Sequence, residues 1–342
     1  MAVKITQPAR NLREELNELR TPTGIAGEAM MRADTPQEQF NLIGAGRKNL
    51  IINGDFRVSQ RGDYSSATAL GGGQYSVDRW TNYLLTVTQT VQNGSAIING
   101  ATRRTLKVTA TSSGNGYISA VQKVETVNIP IGKPLTFSAW VRTNHPKVKL
   151  RQDFIGGVTS ENDNFVTPDG NWHYHTWTID TTGTTASIVV VQVIAFDYGS
   201  VSITSGDYIE VADVQLEVGK VATPFEHRSY GEELALCQRY FQSAQDSLWG
   251  WTFQGYTDRL MCIVPSIVSM RAIPTFSSSG LMKIDLPGVS NATQSSFAVS
   301  TGTSFPGQNA HIVEFLNFSG LTTSANYRIR SDSAILFMDA EL

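Results

Sequence analysis

Cysteine is scarce in this sequence, which contains only Cys237 and Cys262 among its 342 residues. Two thiols cannot build a disulfide-rich scaffold, and their spacing does not match that of a structural zinc site. We therefore expect both cysteines to be reduced residues of a hydrophobic core.

Long apolar runs are missing as well. No stretch of 18 uncharged apolar residues occurs, and the N-terminal residues contain no apolar segment of signal-peptide length. A transmembrane helix needs about 20 such residues, and a signal peptide needs about 7 to 15. The sequence predicts a protein that is made in the cytosol and does not insert into a membrane.

An excess of positive charge is also absent, because 27 Lys and Arg stand against 30 Asp and Glu, giving a net charge of −3. Nucleic-acid-binding domains carry a basic patch or stripe, and no segment of this chain is strongly basic. The sequence also lacks the GxSxG, HExxH and Walker patterns that mark common catalytic sites. We expect neither nucleic-acid binding nor catalysis.

The first 48 residues carry the main helical pattern of the early chain. Ile5, Leu12, Leu16 and Leu19 recur at steps of three, four and seven residues, which places them on one seam of about two heptads. An isolated helix this short is marginal in water, so the seam needs a partner. Two interpretations remain open: the helix lies on its own domain, or it forms a short coiled coil or a peg docked in another protein. We predict an N-terminal helical anchoring segment over residues 1–48.

Residues 49–228 change to short β-rich runs separated by Gly, Asn, Ser and Asp. Many short strands at regular spacing without helices between them are typical of an antiparallel β-sandwich. In Leu135–Val141 every second residue is apolar, so these residues share one face of a strand and Trp140 lies on the other.

Ser229–Glu232 has the form of a capping box and predicts a helix that runs to about Phe241. Strand-like runs with Pro, Gly and Ser turns follow it, which indicates a second small β domain over residues 229–342. The predicted fold class is mainly β: a helical anchor at 1–48, an antiparallel sandwich at 49–228 and a C-terminal β domain.

Several sequence motifs, taken together, resemble those of a family of phage proteins. Three of them resemble the carbohydrate-binding-module-like jelly rolls of tailed-phage structural proteins: Asn49–Phe56, Tyr75–Trp80 and Ile209–Glu217. Gln215–Glu226 together with Glu233–Phe241 is similar to the junction between such a module and a C-terminal β domain in phage tail-fibre and virion proteins, and the ending Ile335–Leu342 is similar to these proteins as well. The combination covers most of residues 49–342 and implies that the sandwich is a jelly roll.

The resemblance also implies a metal. Jelly rolls of this kind often hold a structural calcium where the first motif meets the late DVQLE strand, and Asp55 and Asp213 are the matching carboxylates. Calcium prefers such hard oxygen ligands. The alternative is that Asp55 caps a turn and Asp213 pairs with Arg79 or with water. No other cofactor is expected.

Sugar-binding members of the family use exposed aromatic side chains, on which pyranose rings stack. The resemblance makes Trp140, Trp172 and Tyr174 the candidate glycan-binding residues here, whereas Trp80 matches a buried position of the family. His173 and His175 share one strand face, and we expect a solvent-facing pair rather than a metal site.

The resemblance implies a structural virion protein that is made in the host cytoplasm. We expect a homotrimeric fibre or spike subunit, bound to other virion proteins through residues 1–48 and able to contact host-surface glycans. One alternative is a head or collar decoration without a receptor role. Another is a polysaccharide depolymerase that uses the acids of one loop-like region: Asp153, Glu161, Asp163 and Asp169.

Overall fold

The computed structural model describes residues 48–125, 129, 132–155, 159–160, 164–183, 186, 188–196, 202–244, 248–251, 260–278, 283–285, 298–300, 310–316, 326–330 and 335–342. The chain divides into two compact units, Met1–Leu50 and Ile51–Leu342. The predicted helical anchor, with Ile5, Leu12, Leu16 and Leu19, lies outside the described residues. Apart from Asn49 and Leu50, both predicted β domains fall in the second unit, and the boundary between them stays a prediction.

Within the described residues, the chain forms twenty strands and one α-helix. In chain order these are β1 (Thr68–Ala69), β2 (Leu84–Leu85), β3 (Gln89–Ile98), β4 (Ala101–Ala110), β5 (Tyr117–Glu125), β6 (Leu135–Thr143), β7 (Val148–Ile155), β8 (Thr159–Ser160), β9 (His173–Ile179), β10 (Ile188–Phe196), β11 (Tyr208–Val218), α1 (Tyr230–Gln238), β12 (Phe241–Ala244), β13 (Leu248–Trp251), β14 (Leu260–Pro265), β15 (Thr275–Ser278), β16 (Lys283–Asp285), β17 (Ala298–Ser300), β18 (Ala310–Leu316), β19 (Asn326–Arg330) and β20 (Leu336–Asp339). This composition confirms the predicted mainly β class.

Two antiparallel sheets form the first part of the unit. Sheet 1 has the strand order β1-β3-β4-β11-β6-β9, and sheet 2 has the order β2-β5-β10-β7-β8. Strands of the two sheets contact each other, as β4 does with β5 and β11 with β10, an arrangement consistent with the predicted sandwich.

The core between the two sheets takes up alternate side chains of its strands, which point to one face of the sheet. The apolar residues of β6 that alternate along Leu135–Val141 are all buried, while Trp140 on the opposite face is half-buried. In β10, Val189, Val191 and Val193 are completely buried, but Val190, Gln192 and Ile194 on the opposite face are buried as well. The predicted apolar face of β6 is thus buried, although Thr136 and Ser138 on its other face are buried too.

The segment after Leu50 is fixed to the sandwich by buried polar contacts. The Trp80 indole donates a hydrogen bond from Nε1 to the Asn53 carbonyl oxygen at 2.8 Å, and its ring lies 5.0 Å from that of Phe56. Trp80 has no exposed surface, as predicted. Strand β11 is irregular between Ala212 and Gln215, beside this segment.

Helix α1 begins at the predicted cap, since the Ser229 hydroxyl accepts a hydrogen bond from the Glu232 amide at 3.2 Å. The helix ends at Gln238 rather than near Phe241. Phe241 instead begins β12, where it pairs with β20 and its ring lies 5.5 Å from that of Phe337. Tertiary packing therefore overrides the helical continuation that the sequence favours.

The C-terminal strands form two more antiparallel sheets. Their orders are β12-β20-β15 and β16-β19-β13-β14-β18-β17. Buried ion pairs join the last residues to the sandwich, as between Arg79 and Glu341. In the part of the chain that the structure describes, no helix has both the length and the apolar character that crossing a membrane requires.

Candidate functional site

A groove of about 580 Å³ lies along the outer face of sheet 2. Strand pairing brings its lining together, because Tyr117 pairs with Phe196 across β5 and β10, and Gln192 pairs with Arg151 across β10 and β7. The described lining residues are Tyr83, Leu85, Asn115, Gly116, Tyr117, Lys149, Arg151, Asp153, Gln192, Ile194 and Phe196.

A fixed carboxylate is the main polar feature of the groove. Asp153 accepts hydrogen bonds from Arg151 Nε at 2.9 and 3.0 Å and from Gln192 Nε2 at 2.6 Å. Hydrogen bonds to a charged group are among the stronger ones in proteins, so they hold the Asp153 oxygens in place. The groove therefore presents a positioned hydrogen-bond acceptor.

Aromatic rings supply the apolar part of the groove lining. Tyr83, Tyr117 and Phe196 are half-buried, and Phe196 lies 6.1 Å from the ring of Phe165. The ammonium of Lys149 lies 4.6 Å from the centre of the Phe196 ring, a cation–π distance. These contacts fix the orientation of the Phe196 ring.

The phenol of Tyr83 stays protonated over a wide pH range. Burial raises its pKa above the usual value, and the charge of nearby Asp153 and the presence of Tyr117 raise it further. A protonated phenol both donates and accepts hydrogen bonds. Tyr83 thus adds a donor beside the Asp153 acceptor.

The rim of the groove depends on a close backbone approach. A Cβ atom at Gly116 would overlap the carbonyl oxygen of Leu85, which belongs to the neighbouring edge strand. On the same rim, the Asn115 side chain accepts a hydrogen bond from the Ser202 hydroxyl at 3.0 Å. The backbone carbonyl oxygen of Asn115 accepts a hydrogen bond from the Thr86 hydroxyl.

This combination suits a ring that has an apolar face and an edge of hydroxyl groups. Half-buried aromatic rings offer flat apolar contact, and the Asp153, Gln192 and Tyr83 side chains offer hydrogen bonds at fixed positions. Glycoside hydrolysis requires a second carboxylate at about 5 to 9.5 Å from the first. Asp153 is the sole acid among the described lining residues.

The predicted aromatic residues lie on the other side of the sandwich. Trp140 and Tyr174 pair directly across β6 and β9 on the outer face of sheet 1, with ring centres 5.2 Å apart. Trp172 lies directly before β9, and the Arg142 guanidinium lies 5.0 Å from its ring centre. Tyr174 is 42 % exposed. The structure brings the three residues together as an aromatic platform, here defined as Trp140, Trp172 and Tyr174, and their role in glycan binding stays a prediction.

The predicted calcium carboxylates also come together, because Asp55 and Asp213 line one pocket of about 500 Å³. Each of them already contacts a guanidinium: Arg57 for Asp55 and Arg103 for Asp213. The alternative pairing of Asp213 with Arg79 is wrong, because Arg79 contacts Glu341 instead.

The residues of this pocket do not fit a calcium ion. Calcium takes six to eight oxygen ligands, whereas positively charged guanidiniums hold the two candidate carboxylates here. Among the described residues there is no group of three or more His, Cys, Asp or Glu side chains placed to hold a metal.

The histidine pair lies at the edge of sheet 1. His173 Nε2 is 2.9 Å from Asp169 Oδ1, and the rings of His173 and His175 are 6.5 Å apart. The hydrogen bond with His173, followed by those with Asn171, lowers the pKa of Asp169 to about 2. Glu161 and Asp163, two other acids of the depolymerase alternative, lie outside the described residues.

The groove residues on β7 follow a recognisable pattern in the sequence. Lys149, Arg151 and Asp153 alternate with Val148 and other buried residues, so three charged side chains share one strand face. Lys149 is nevertheless almost completely buried. Arg151 and Asp153 on the same face are half-buried, and the sequence does not reveal this burial.

The chain matches no family model and no curated protein. Among solved structures, it is similar to the enzymatically active domain of tailspike protein 4 from bacteriophage CBA120, at 12% identity and a TM-score of 0.34 over 50% of this chain and 21% of that one. It is similar to the carbohydrate-binding module TmCBM61, solved with β-1,4-galactotriose, at 15% identity and a TM-score of 0.31, covering 50% and 99% of the two chains.

The family 11 carbohydrate-binding module of Clostridium thermocellum Lic26A-Cel5E is similar at 16% identity and a TM-score of 0.25, over 46% of this chain and 98% of the module. All three TM-scores are below 0.5. What those proteins bind or cleave is therefore not transferred to this chain.

Proposed function

We propose that this protein is a non-catalytic, glycan-binding subunit of a tailed-phage fibre or spike, and that the groove of sheet 2 binds the glycan. The observation that carries the binding role is the joint placement of Asp153, Gln192 and Tyr83 beside the Tyr117 and Phe196 rings. The sequence motifs shared with phage appendage jelly rolls support the virion role. In this proposal residues 1–48 anchor a homotrimer to the particle.

The binding role is tested with the full-length protein on a panel of host-surface polysaccharides, followed by affinity electrophoresis on those retained. Asp153→Asn keeps the side-chain shape and removes the charge that organises the acceptor. We expect it to weaken binding about tenfold, which corresponds to about 1.4 kcal/mol. Tyr117→Ala should have a similar effect through loss of the ring. Tyr230→Ala is the control, because this tyrosine is 55 % exposed and lies outside the groove.

Tyr174→Ala separates the groove from the aromatic platform. We expect it to leave glycan binding unchanged, whereas a loss with Tyr174→Ala but not with Asp153→Asn would move the site to sheet 1. Release of reducing ends from a bound polysaccharide, abolished by Asp153→Asn, would favour the depolymerase.

The virion role has its own test. A chain that lacks residues 1–48 should no longer join particles, and normal incorporation would argue against the anchor. Particles without the protein should fail to adsorb to the host. Full adsorption would favour the head or collar decoration.

A further inference from the structure

Two carboxylates meet at the junction where the first segment of the unit contacts β11. The Val214 amide donates a hydrogen bond to the Gly54 carbonyl oxygen at 2.9 Å, which places Asp55 and Asp213 beside the same pocket. Asp213 has a left-handed φ of 48°, a conformation uncommon for residues other than glycine. The surrounding contacts must stabilise this bulge against its backbone strain.

Guanidinium groups provide those contacts. Arg57 binds Asp55 Oδ2 through both Nε and Nη2, while its Nη1 donates to the Arg228 carbonyl oxygen at 2.9 Å. Arg103 Nη1 contacts Asp213 Oδ2. The Asp213 side chain is 4% exposed and that of Asp55 is 11% exposed, so both acids are largely removed from water and need a cation nearby.

The charges of the pocket argue against a second cation. Its described lining contains Arg57, Arg103 and Arg104, against two carboxylates, Asp55 and Asp213. A divalent ion placed among them would meet an excess of positive charge in a partly buried setting, where repulsion is weakly screened. The guanidiniums also lie against both Oδ2 oxygens that a metal would need: Arg57 by a hydrogen bond to Asp55, and Arg103 by an ion-pair contact with Asp213 that is not a hydrogen bond.

We propose that Arg57 and Arg103 are built-in cations that replace a structural metal at this junction, so that the sandwich folds and stays stable without calcium. This inference is independent of the proposed glycan binding. Arg57 and Arg103 act here as positioning residues: they hold the Asp55 segment and the Asp213 bulge in the geometry that completes sheet 1.

The first test is thermal unfolding of the full-length protein with excess calcium chloride and with EDTA. We expect the same Tm in both. A Tm that rises with calcium, or falls with EDTA, would overturn the proposal, as would terbium luminescence from a calcium-competed site in the wild-type protein.

The second test removes one guanidinium. Arg103→Ser should lower Tm and make it responsive to calcium, because Asp213 then lacks its cation and the buried Asp55 Oδ1 makes no hydrogen bond in the described structure. Arg103→Lys should keep more of the stability than Arg103→Ser. Arg104→Ser is the matched control, since Arg104 is exposed at the same pocket and should affect neither Tm nor its calcium response.

An unchanged Tm in Arg103→Ser would contradict the structural role of Arg103. A lowered Tm that calcium does not raise would contradict the proposal that the Arg103 guanidinium occupies a cation site. If Arg103→Ser does not fold, the terbium measurement on the wild-type and Arg104→Ser proteins still decides: we expect no bound lanthanide in either, and binding in either would overturn the proposal.

Discussion

At the residue scale, the rim of the groove requires a residue without a Cβ atom at position 116. Gly116 stands where a methyl group would overlap the Leu85 carbonyl oxygen and crowd the Thr86 hydroxyl. We expect Gly116→Ala to lower the free energy of unfolding by about 1 to 3 kcal/mol, because the edge strand must move away from β5. Urea denaturation measures the change, and affinity electrophoresis shows whether the distorted rim still accepts the glycan.

A glycine elsewhere serves as the control for this substitution. Gly231 lies in α1 and has open space around its Cα. Gly231→Ala should leave stability unchanged or raise it by up to about 1 kcal/mol, since alanine favours the helix. Equal losses from both substitutions would argue against the crowding at Gly116.

Some residue environments could be predicted from local sequence. Alternation along Leu135–Val141 identified the buried face of β6, because strand geometry alone fixes it. The role of Asp153 is not predictable from the sequence, which places it in a loop-like region, whereas it lies in β7 and one of its hydrogen-bond donors, Gln192, comes from β10. A contact between strands so distant in sequence depends on the whole sheet.

At the element scale, the start of helix α1 could be predicted from the sequence, whereas the arrangement of the aromatic platform could not. The α1 start was predicted because a cap involves only residues close in sequence. The pairing of Trp140 with Tyr174 depends on the register between β6 and β9. A shift of one residue would put their side chains on the opposite face, and no sequence pattern fixed that register.

The packing of β14, β15 and β18 makes stability depend on pH. His311 of β18 is buried, its Nε2 lies 2.7 Å from the Ser266 hydroxyl, and its ring lies 5.8 Å from that of Phe276. Burial lowers the pKa of the His311 imidazole, so the folded state favours the neutral form. This stabilisation is fully present above about pH 6.5, the ordinary pKa of histidine in an unfolded chain. It is lost as the pH falls through the lowered pKa of His311 in the folded state.

We therefore expect the free energy of unfolding to fall from about pH 7 to about pH 5, and His311→Gln to reduce that fall. His175, whose pKa is also lowered by burial and by His173, should account for part of the remaining slope. Urea titrations at each pH measure the slope. His227→Gln is the control, since His227 is exposed; an equal reduction with this variant would contradict the assignment to His311.

At the scale of the whole molecule, buried ion pairs join residues far apart in the chain. Arg79, with a side chain 1% exposed, contacts Glu341, which is 4% exposed. Arg61 contacts Asp339 at 2.9 Å and Glu341 at 3.1 Å. Lys123 Nζ donates to the Leu342 carbonyl oxygen at 2.6 Å. Together these contacts hold β20 and the residues after it against the sandwich.

Glu341→Gln should destabilise the protein by about 3 to 5 kcal/mol, because it leaves the Arg79 charge buried without its carboxylate. In urea denaturation, the double variant Arg79→Met/Glu341→Gln should lose less than the sum of the two single losses. Glu232→Gln, at an exposed position of α1, should change the free energy by about 1 kcal/mol or less. Additive losses for Arg79 and Glu341 would show that the pair is not coupled.

The same ion pairs set an order of events during synthesis. Arg79 is close to the start of the sandwich, yet its carboxylate partner Glu341 lies 262 residues further along the chain. Until β20 is made, the Arg79 guanidinium can contact the Lys123 carbonyl oxygen and the Tyr240 ring but has no carboxylate partner in Glu341. We expect closure of this long-range contact to be a slow step of folding, because contacts between residues far apart in sequence form slowly.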